Sequence, residues 1–159
     1  GLGWAAAAAT VVGQNLGAGR PDRAERAVWT AALYNMLFLG SIGLVFFFAA
    51  RPIAGLFTND PAVLPFAIEC LRTVSLGFLF YGVGMVLTQS FNGAGDTWTP
   101  TLINLCVFWL WEIPVAWWLA VHAGFGPRGV FLALTIAYST LAVVSAVLFR
   151  RGAWKRKTV

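Results

Sequence analysis

The sequence predicts an all-α integral membrane protein, and three observations support this fold class. Of its 159 residues, 59% are hydrophobic and only 11% are charged, against roughly 45–50% and 25% in soluble domains. A soluble fold of this length could not hide so much apolar surface from water. The charges also cluster in short runs, and the intervals between the runs reach or exceed the roughly 20 residues with which a helix crosses a bilayer.

These intervals predict a bundle of four full transmembrane helices plus the end of a fifth. The full spans are expected at residues 27–50, 72–93, 101–123 and 130–149. The partial span, residues 1–19, is rich in Ala and Gly, which suits close packing within a bundle. Because the chain opens inside this apolar run and without Met, we expect it to be part of a longer protein.

Glycine and proline residues mark the places where these helices are expected to bend. Gly77, Gly82 and Gly84 would permit close helix approach or local bending in the third span. Pro114 is expected to kink the fourth span, because it has no backbone N–H and clashes with the carbonyl of Leu110.

Basic residues are distributed unequally between the two sides of the predicted bundle, and their excess marks the cytoplasmic side. The richer side carries Arg20, Arg23, Arg26, Arg150, Arg151, Lys155, Arg156 and Lys157, and the poorer side carries Arg51, Arg72 and Arg128. This predicts a cytoplasmic C-terminus, with residues 1–150 as a transmembrane bundle and residues 151–159 as a basic tail. The net positive charge is then a topology signal, and we expect no nucleic-acid partner.

The sequence offers no residue pattern typical of an enzyme, a cofactor site or a metal site. The Gly-Ala-Gly segments lack the lysine of a phosphate-binding loop. There is one histidine, His122, and the two cysteines lie in apolar segments, where a thiol behaves as a small hydrophobe. We therefore expect no catalytic residues, no cofactor and no bound metal.

Glu112 is the residue that most strongly suggests function. It lies near the middle of the fourth predicted span, where placing a charge costs roughly 3 kcal/mol or more. A structural explanation is that the carboxyl is protonated, or paired with a neighbouring helix, and locks the bundle. A functional explanation is that a low-dielectric site favours the neutral acid, so that a proton or a cation binds and leaves. We adopt the second explanation as a hypothesis.

Helical spacing places polar and aromatic side chains on the same broad face as Glu112. These residues are Thr101, Asn104, Phe108 and Trp111. They are predicted to line a cavity, in which carbonyls freed by Pro114 would be available as ligands. The alternative is that the polar members bond to neighbouring helices and the aromatic ones fill packing or lipid-facing positions.

Three segments occur in an order that resembles a known transporter family. They read Val12-Gly13-Gln14-Asn15-Leu16-Gly17-Ala18-Gly19, then Phe91-Asn92-Gly93-Ala94-Gly95-Asp96-Thr97-Trp98-Thr99-Pro100, then Glu112-Ile113-Pro114. Over essentially the whole chain, the sequence resembles the C-terminal half of multidrug and toxic compound extrusion (MATE) transporters. The glycines of the first two segments are expected to serve backbone geometry at cytoplasmic helix ends.

The resemblance implies a twelve-helix antiporter of two six-helix bundles, of which this chain holds the end of helix eight and helices nine to twelve. It implies export of organic cations or other amphipathic compounds in exchange for H⁺ or Na⁺ across the cell (inner) membrane. The implied partners are membrane lipid, small-molecule substrates and the N-terminal helices of the same protein. Some members use acids in helices seven and ten, but the span that matches the tenth has no acid in its interior here, which leaves Glu112.

Two other functions fit a membrane bundle of this kind. A flippase for lipid-linked precursors would need cationic residues in its cavity, and the predicted span interiors contain neither Arg nor Lys. A noncatalytic scaffold subunit would have little use for an acid at the membrane midplane.

Overall fold

The computed structural model describes residues 1–156, and the helices follow one another through short connections. In chain order they are α1 Leu2–Gly17, α2 Pro21–Phe48, α3 Ala50–Gly55, α4 Leu64–Leu76, α5 Phe78–Gly93, α6 Trp98–Asn104, α7 Glu112–Trp117 and α8 Pro127–Arg150. Two π-helical segments, Leu105–Trp111 and Trp118–His122, flank α7, and a 3₁₀ turn, Ala153–Arg156, follows α8. No strand occurs in residues 1–156, which confirms the all-α prediction. The end of the basic tail, Lys157 to Val159, lies outside the described residues.

Three helical stretches are long and apolar enough to cross a membrane alone, namely Pro21–Phe48, Trp98–His122 and Pro127–Arg150. A fourth span consists of α4 and α5, which are bent by 50° relative to each other. The 16-residue α1 adds part of another span. The arrangement matches the predicted bundle of four full helices and the end of a fifth.

The third span differs from its prediction in start and shape. It was expected at residues 72–93, but it begins at Leu64 and is broken at Gly77. Arg72 therefore lies inside α4 and does not begin the span. The same shift places Glu69, which we expected before the start of the span, inside α4, so the expectation of no acid within this span was wrong. The long side chain of Arg72 remains exposed, and its Nε donates a hydrogen bond to the carbonyl of Phe47. A flexible arginine can carry its charge to the headgroups in this way, so it need not end a helix.

The fourth span accommodates Pro114 by π-helical turns on both sides of it, and not by the single kink that we expected. Pro114 lies within the short α7, and the chain is π-helical on both sides of that segment. The π register pairs each N–H with the carbonyl five residues back and widens the turn. The distortion is therefore spread over several turns instead of being concentrated at Pro114.

Small residues allow the helices to pack closely around a shared core. The buried side chains of this core include Ala5, Ala8, Val12, Ala24, Val28, Ala32, Val86, Leu87, Ala137 and Leu141. A Cβ atom on Gly82 would lie 3.0 Å from the carbonyl oxygen of Asn35, and one on Gly84 would lie 2.8 Å from Leu141 Cγ. These two glycines therefore hold α5 against α2 and α8, as their predicted role in close approach requires.

Ion pairs connect separate helices near opposite ends of the bundle. Arg128, at the start of α8, pairs with Glu69 of α4 at 2.7 Å. At the other end, Lys155 pairs with both Asp22 and Glu25 in the first turns of α2. The tail after α8 is thus attached to the beginning of α2.

Candidate functional site

Glu112 is positioned by the change from π-helical to α-helical backbone. It is the first residue of α7, and its N–H donates to the carbonyl of Val107, five residues earlier. Its side chain is partly buried. None of the basic side chains in the described part of the chain forms an ion pair with it. The position of Glu112 in the middle of a span is therefore not explained by a salt bridge within residues 1–156.

An aromatic cluster centred on Tyr138 of α8 lies against this part of the fourth span. Helix α7, which begins at Glu112, packs against α8. The Tyr138 ring lies 4.7 Å from the ring of Tyr81 on α5, with an angle of 37° between the ring planes. Phe108 meets the same ring edge-on at 6.4 Å. The fourth span thus brings Phe108, four residues before Glu112, against a pair of tyrosines from the third and fifth spans.

This combination suits a proton or an organic cation. A carboxylate accepts hydrogen bonds and attracts positive charge, and it becomes a donor when it is protonated. Aromatic faces attract cations, most strongly where water is excluded. No group of three or more His, Cys, Asp or Glu side chains suited to a metal ion occurs among the residues described.

The bend at Gly77 makes room for Tyr138. A Cβ atom on Gly77 would lie 2.8 Å from Tyr138 Cδ2 and 3.3 Å from the Cα of Thr135. The N–H of Gly77 donates to Val74, so the carbonyl of Thr73 loses its regular helical donor. The hydroxyl of Thr135 donates to that carbonyl at 2.8 Å. Helix α8 therefore both fills and stabilises the break in the third span.

On the opposite side, α2 supports the same broken span through Asn35. This side chain is fully buried, and its Nδ2 donates to the carbonyl of Gly82 at 2.8 Å. Sequence reasoning passed over Asn35, Tyr81, Thr135 and Tyr138. A polar or phenolic residue in the middle of an otherwise apolar span is the signal that would have identified them.

The predicted cavity face divides into two parts. Phe108 and Glu112 are partly buried, and Phe108 meets the ring of Tyr138 on α8. The other members, Thr101, Asn104, Trp111 and Pro114, are exposed on the described chain. The Thr101 hydroxyl donates to the carbonyl of Thr97, one turn back in its own helix. The structure therefore brings two of the six residues to the site.

The two glycine-rich motifs lie against each other at the ends of α1 and α5. A Cβ atom on Gly93 would collide with the backbone of Ala9, lying 2.7 Å from its Cα, and one on Gly13 would lie 3.2 Å from the carbonyl oxygen of Gly93. Gly19 and Gly95 have positive φ angles of 68° and 74°. The φ angle of Gly93 is not positive, and this glycine instead permits the close crossing of α1 and α5.

The polar residues of these motifs bond locally. Asn15 donates to the carbonyl of Val11, and Asn92 donates to the side chain of Gln89. Asp96 accepts hydrogen bonds from the N–H and the hydroxyl of Thr99, which organises the start of α6. The remaining motif members are Gln14 and Gly17, which are exposed, and Pro100, which is buried. Gly17 has neither a positive φ angle nor an atom that a Cβ would approach within 4 Å.

Comparisons with known proteins agree with this architecture. The sequence is 32% identical to the "Probable multidrug resistance protein NorM" of Caulobacter vibrioides, over 97% of this chain and 33% of that protein. It is 28% identical to "Protein DETOXIFICATION 14" of Arabidopsis thaliana, over 96% of this chain and 31% of that protein. The crystal structure of the eukaryotic MATE transporter AtDTX14 superposes with a TM-score of 0.86 at 27% identity, covering 97% of this chain and 34% of that one.

The chain thus spans about a third of the length of the curated relatives that it matches. The sequence model of the MatE family matches residues 1–118, which contain both glycine-rich motifs and Glu112. The chain belongs to the MatE family.

Proposed function

We propose that the protein containing this chain exports amphipathic or cationic compounds by antiport with H⁺ or Na⁺, and that Glu112 binds the coupling ion. The observation that carries the proposal is a midspan carboxyl without an ion-pair partner in the described residues, four residues after Phe108, whose ring meets the Tyr138 ring. Relatives named as multidrug resistance proteins support the class of substrate.

In this mechanism the ionised and the neutral acid favour different arrangements of the site. The carboxylate attracts a cation towards the aromatic rings, and a proton or Na⁺ that binds it cancels this attraction. Exchange then requires only that the two forms favour different conformations of the transporter. The π-helical segment before Glu112 and the break at Gly77 are the places where the backbone can change its hydrogen-bond register at low cost.

The decisive experiment measures substrate-driven proton or sodium flux in proteoliposomes containing the full-length protein. Glu112→Gln keeps the size of the side chain and fixes it in a neutral state. We expect coupled flux to be lost while expression and folding remain close to wild type, because a neutral side chain costs less to bury than an ion. Glu25→Gln makes the same chemical change outside the site, at the Lys155 ion pair near the start of α2, and should retain flux. Equal flux in wild type and Glu112→Gln would mean that Glu112 is structural.

We also propose a multi-pass location in the cell (inner) membrane with a cytoplasmic C-terminus, from the distribution of basic residues. A single cysteine introduced at Thr158, with Cys70 and Cys106 replaced by serine, tests this orientation. The new thiol should resist an impermeant reagent in intact cells and react after permeabilisation. Labelling in intact cells would show that the C-terminus faces outward and would contradict the proposed topology.

A further inference from the structure

A groove lies between α2 and the bent third span, on the half of the bundle that carries Arg51 and Arg72. It has a volume of about 320 Å³, and apolar side chains form most of its wall. Its lining includes Leu37, Leu44 and Phe47 of α2, and Leu76 and Leu79 on the two sides of the bend. The groove exists because α4 diverges from α5 by 50° at Gly77.

One arginine, Arg72 of α4, does not itself line the groove but contacts Phe47 in its wall. Arg72 precedes Ser75 and Leu76 by three and four residues, so all three lie on the same face of α4. Its Cζ lies 5.9 Å from the centroid of the Phe47 ring, and its Nε donates to the Phe47 carbonyl. Its two terminal nitrogens form no hydrogen bond with the described residues, and the side chain is exposed. The contact with Phe47 orients the guanidinium and leaves its terminal donors available.

The other basic residues on this side are placed differently. The guanidinium of Arg128 is neutralised by the carboxylate of Glu69. Arg51 belongs to α3, beyond the end of α2. Arg72 combines a guanidinium without an ion pair in the described structure with a direct contact to Phe47, which lines the groove.

We propose that this groove binds an anionic phospholipid, with the phosphate on Arg72 and an acyl chain along the groove. A guanidinium presents two parallel donors to phosphate, and a cationic side chain at the headgroup level favours anionic over zwitterionic lipid. The groove offers an acyl chain contacts that a smooth helix surface lacks. The proposal is independent of the substrate and of the ion that Glu112 would bind.

Native mass spectrometry of the delipidated full-length protein tests the proposal, by titration with dioleoyl phosphatidylglycerol or dioleoyl phosphatidylcholine. Wild type should bind the anionic lipid more tightly, and Arg72→Gln should weaken that binding about fivefold while leaving the zwitterionic lipid unaffected. Arg23→Gln removes the same charge from an exposed position at the opposite end of α2 and should retain the preference. Ser41→Phe fills the groove from an exposed position in its wall and should weaken binding of both lipids.

The variants must first match wild type in elution volume and melting temperature, so that lipid binding is compared between folded proteins. If Arg72→Gln keeps the preference for the anionic lipid, the headgroup assignment is overturned. If Ser41→Phe binds both lipids as tightly as wild type does, the acyl chain does not occupy the groove. Equal binding of the two lipids by wild type would exclude recognition of the headgroup charge.

Discussion

The side chain of Asn35 on α2 donates a hydrogen bond of 2.8 Å to the backbone carbonyl of Gly82 on α5, although the two residues are 47 positions apart in sequence. The close contact is possible because Gly82 has no side chain, and a Cβ there would lie 3.0 Å from the Asn35 carbonyl oxygen. The amide thus fixes the register of α2 against the broken third span. A polar contact of this kind favours one relative position of two helices whose apolar surfaces could otherwise pack in several registers.

Asn35→Leu should destabilise the full-length protein by about 1 kcal/mol, the range measured for hydrogen bonds between membrane helices. The reason is that the amide donor is lost while the helices must still pack at Gly82. Thr30→Val on the same helix, at an exposed position whose hydroxyl bonds only within its own helix, is the matched control. Melting temperatures in detergent measure both changes. A melting temperature for Asn35→Leu equal to that of the control would show that the hydrogen bond adds nothing to stability.

Gly93→Ala should lower the yield of folded protein even though alanine is a better helix former than glycine. The added Cβ would meet the backbone of Ala9, which cannot move aside as a flexible side chain would, and forced overpacking costs about 1–3 kcal/mol. Gly17→Ala is the control, because no atom lies within 4 Å of its Cβ position. Fluorescence-detected size exclusion reports the yield of both variants. Normal yield for Gly93→Ala would mean that α1 and α5 can separate freely.

The fold could largely be predicted from the sequence because lipid imposes a simple rule. Apolar runs of sufficient length must form helices in order to satisfy their backbone groups, so the positions of the charges nearly fixed the spans. The exceptions are instructive. The charge of Arg72 predicts the start of the third span there, yet an arginine can lie inside a helix when its side chain reaches the membrane interface. Gly77 was one of three candidate glycines, and nothing local distinguished it as the site of the break.

Only part of the candidate site could be predicted from the sequence. Glu112 could be identified because a midspan acid is costly wherever it points. Its neighbours Tyr81 and Tyr138 come from other helices, and their approach depends on tertiary packing. The predicted face assumed a regular helix with 100° per residue. The π-helical turns change that rotation, so residues assigned to one face of a regular helix need not share it, and Trp111 is exposed while Phe108 and Glu112 are partly buried.

The contact of the tail with α2 should be stable at neutral pH and weaken only under alkaline conditions. The hydrogen bond to Glu25 is the largest of the influences that raise the pKa of Lys155 above its ordinary 10.5. A raised pKa means that the contribution is fully present below the ordinary value and is lost as the pH rises through the raised one.

Lys155→Gln should therefore lower the melting temperature by a similar amount from neutral pH to about pH 10. The difference from wild type should disappear at higher pH, and added salt should reduce it. Arg151→Gln, at an exposed residue without an ion pair in the described structure, is the control. A Lys155 effect that stays constant at high pH and high salt would point to packing. The buried Trp154, stacked on Phe149 at 4.6 Å, would be its source.

The break in the third span should depend on the pairing of Gly77 with Tyr138, and a double-mutant cycle can isolate that dependence. Gly77→Ala places a methyl group against the Tyr138 ring, which Tyr81 and Phe108 hold on other sides. The ring must then move, and we expect a loss of about 1–3 kcal/mol of stability. Tyr138→Ala alone should also be destabilising, since it removes a large side chain that is packed against two others.

In the Tyr138→Ala background the obstacle to the methyl group is gone, so Gly77→Ala should cost less than it does in wild type. The remaining contacts, 3.2 Å to the carbonyl oxygen of Val74 and 3.3 Å to the Cα of Thr135, are tight enough that some cost should persist. We expect a coupling free energy of about 0.5–3 kcal/mol, as for residues in direct contact. Gly55→Ala, which meets no atom within 4 Å, should give additive effects in the same cycle. Additivity between Gly77→Ala and Tyr138→Ala would show instead that the backbone at the break, and not the tyrosine, determines why glycine is required there.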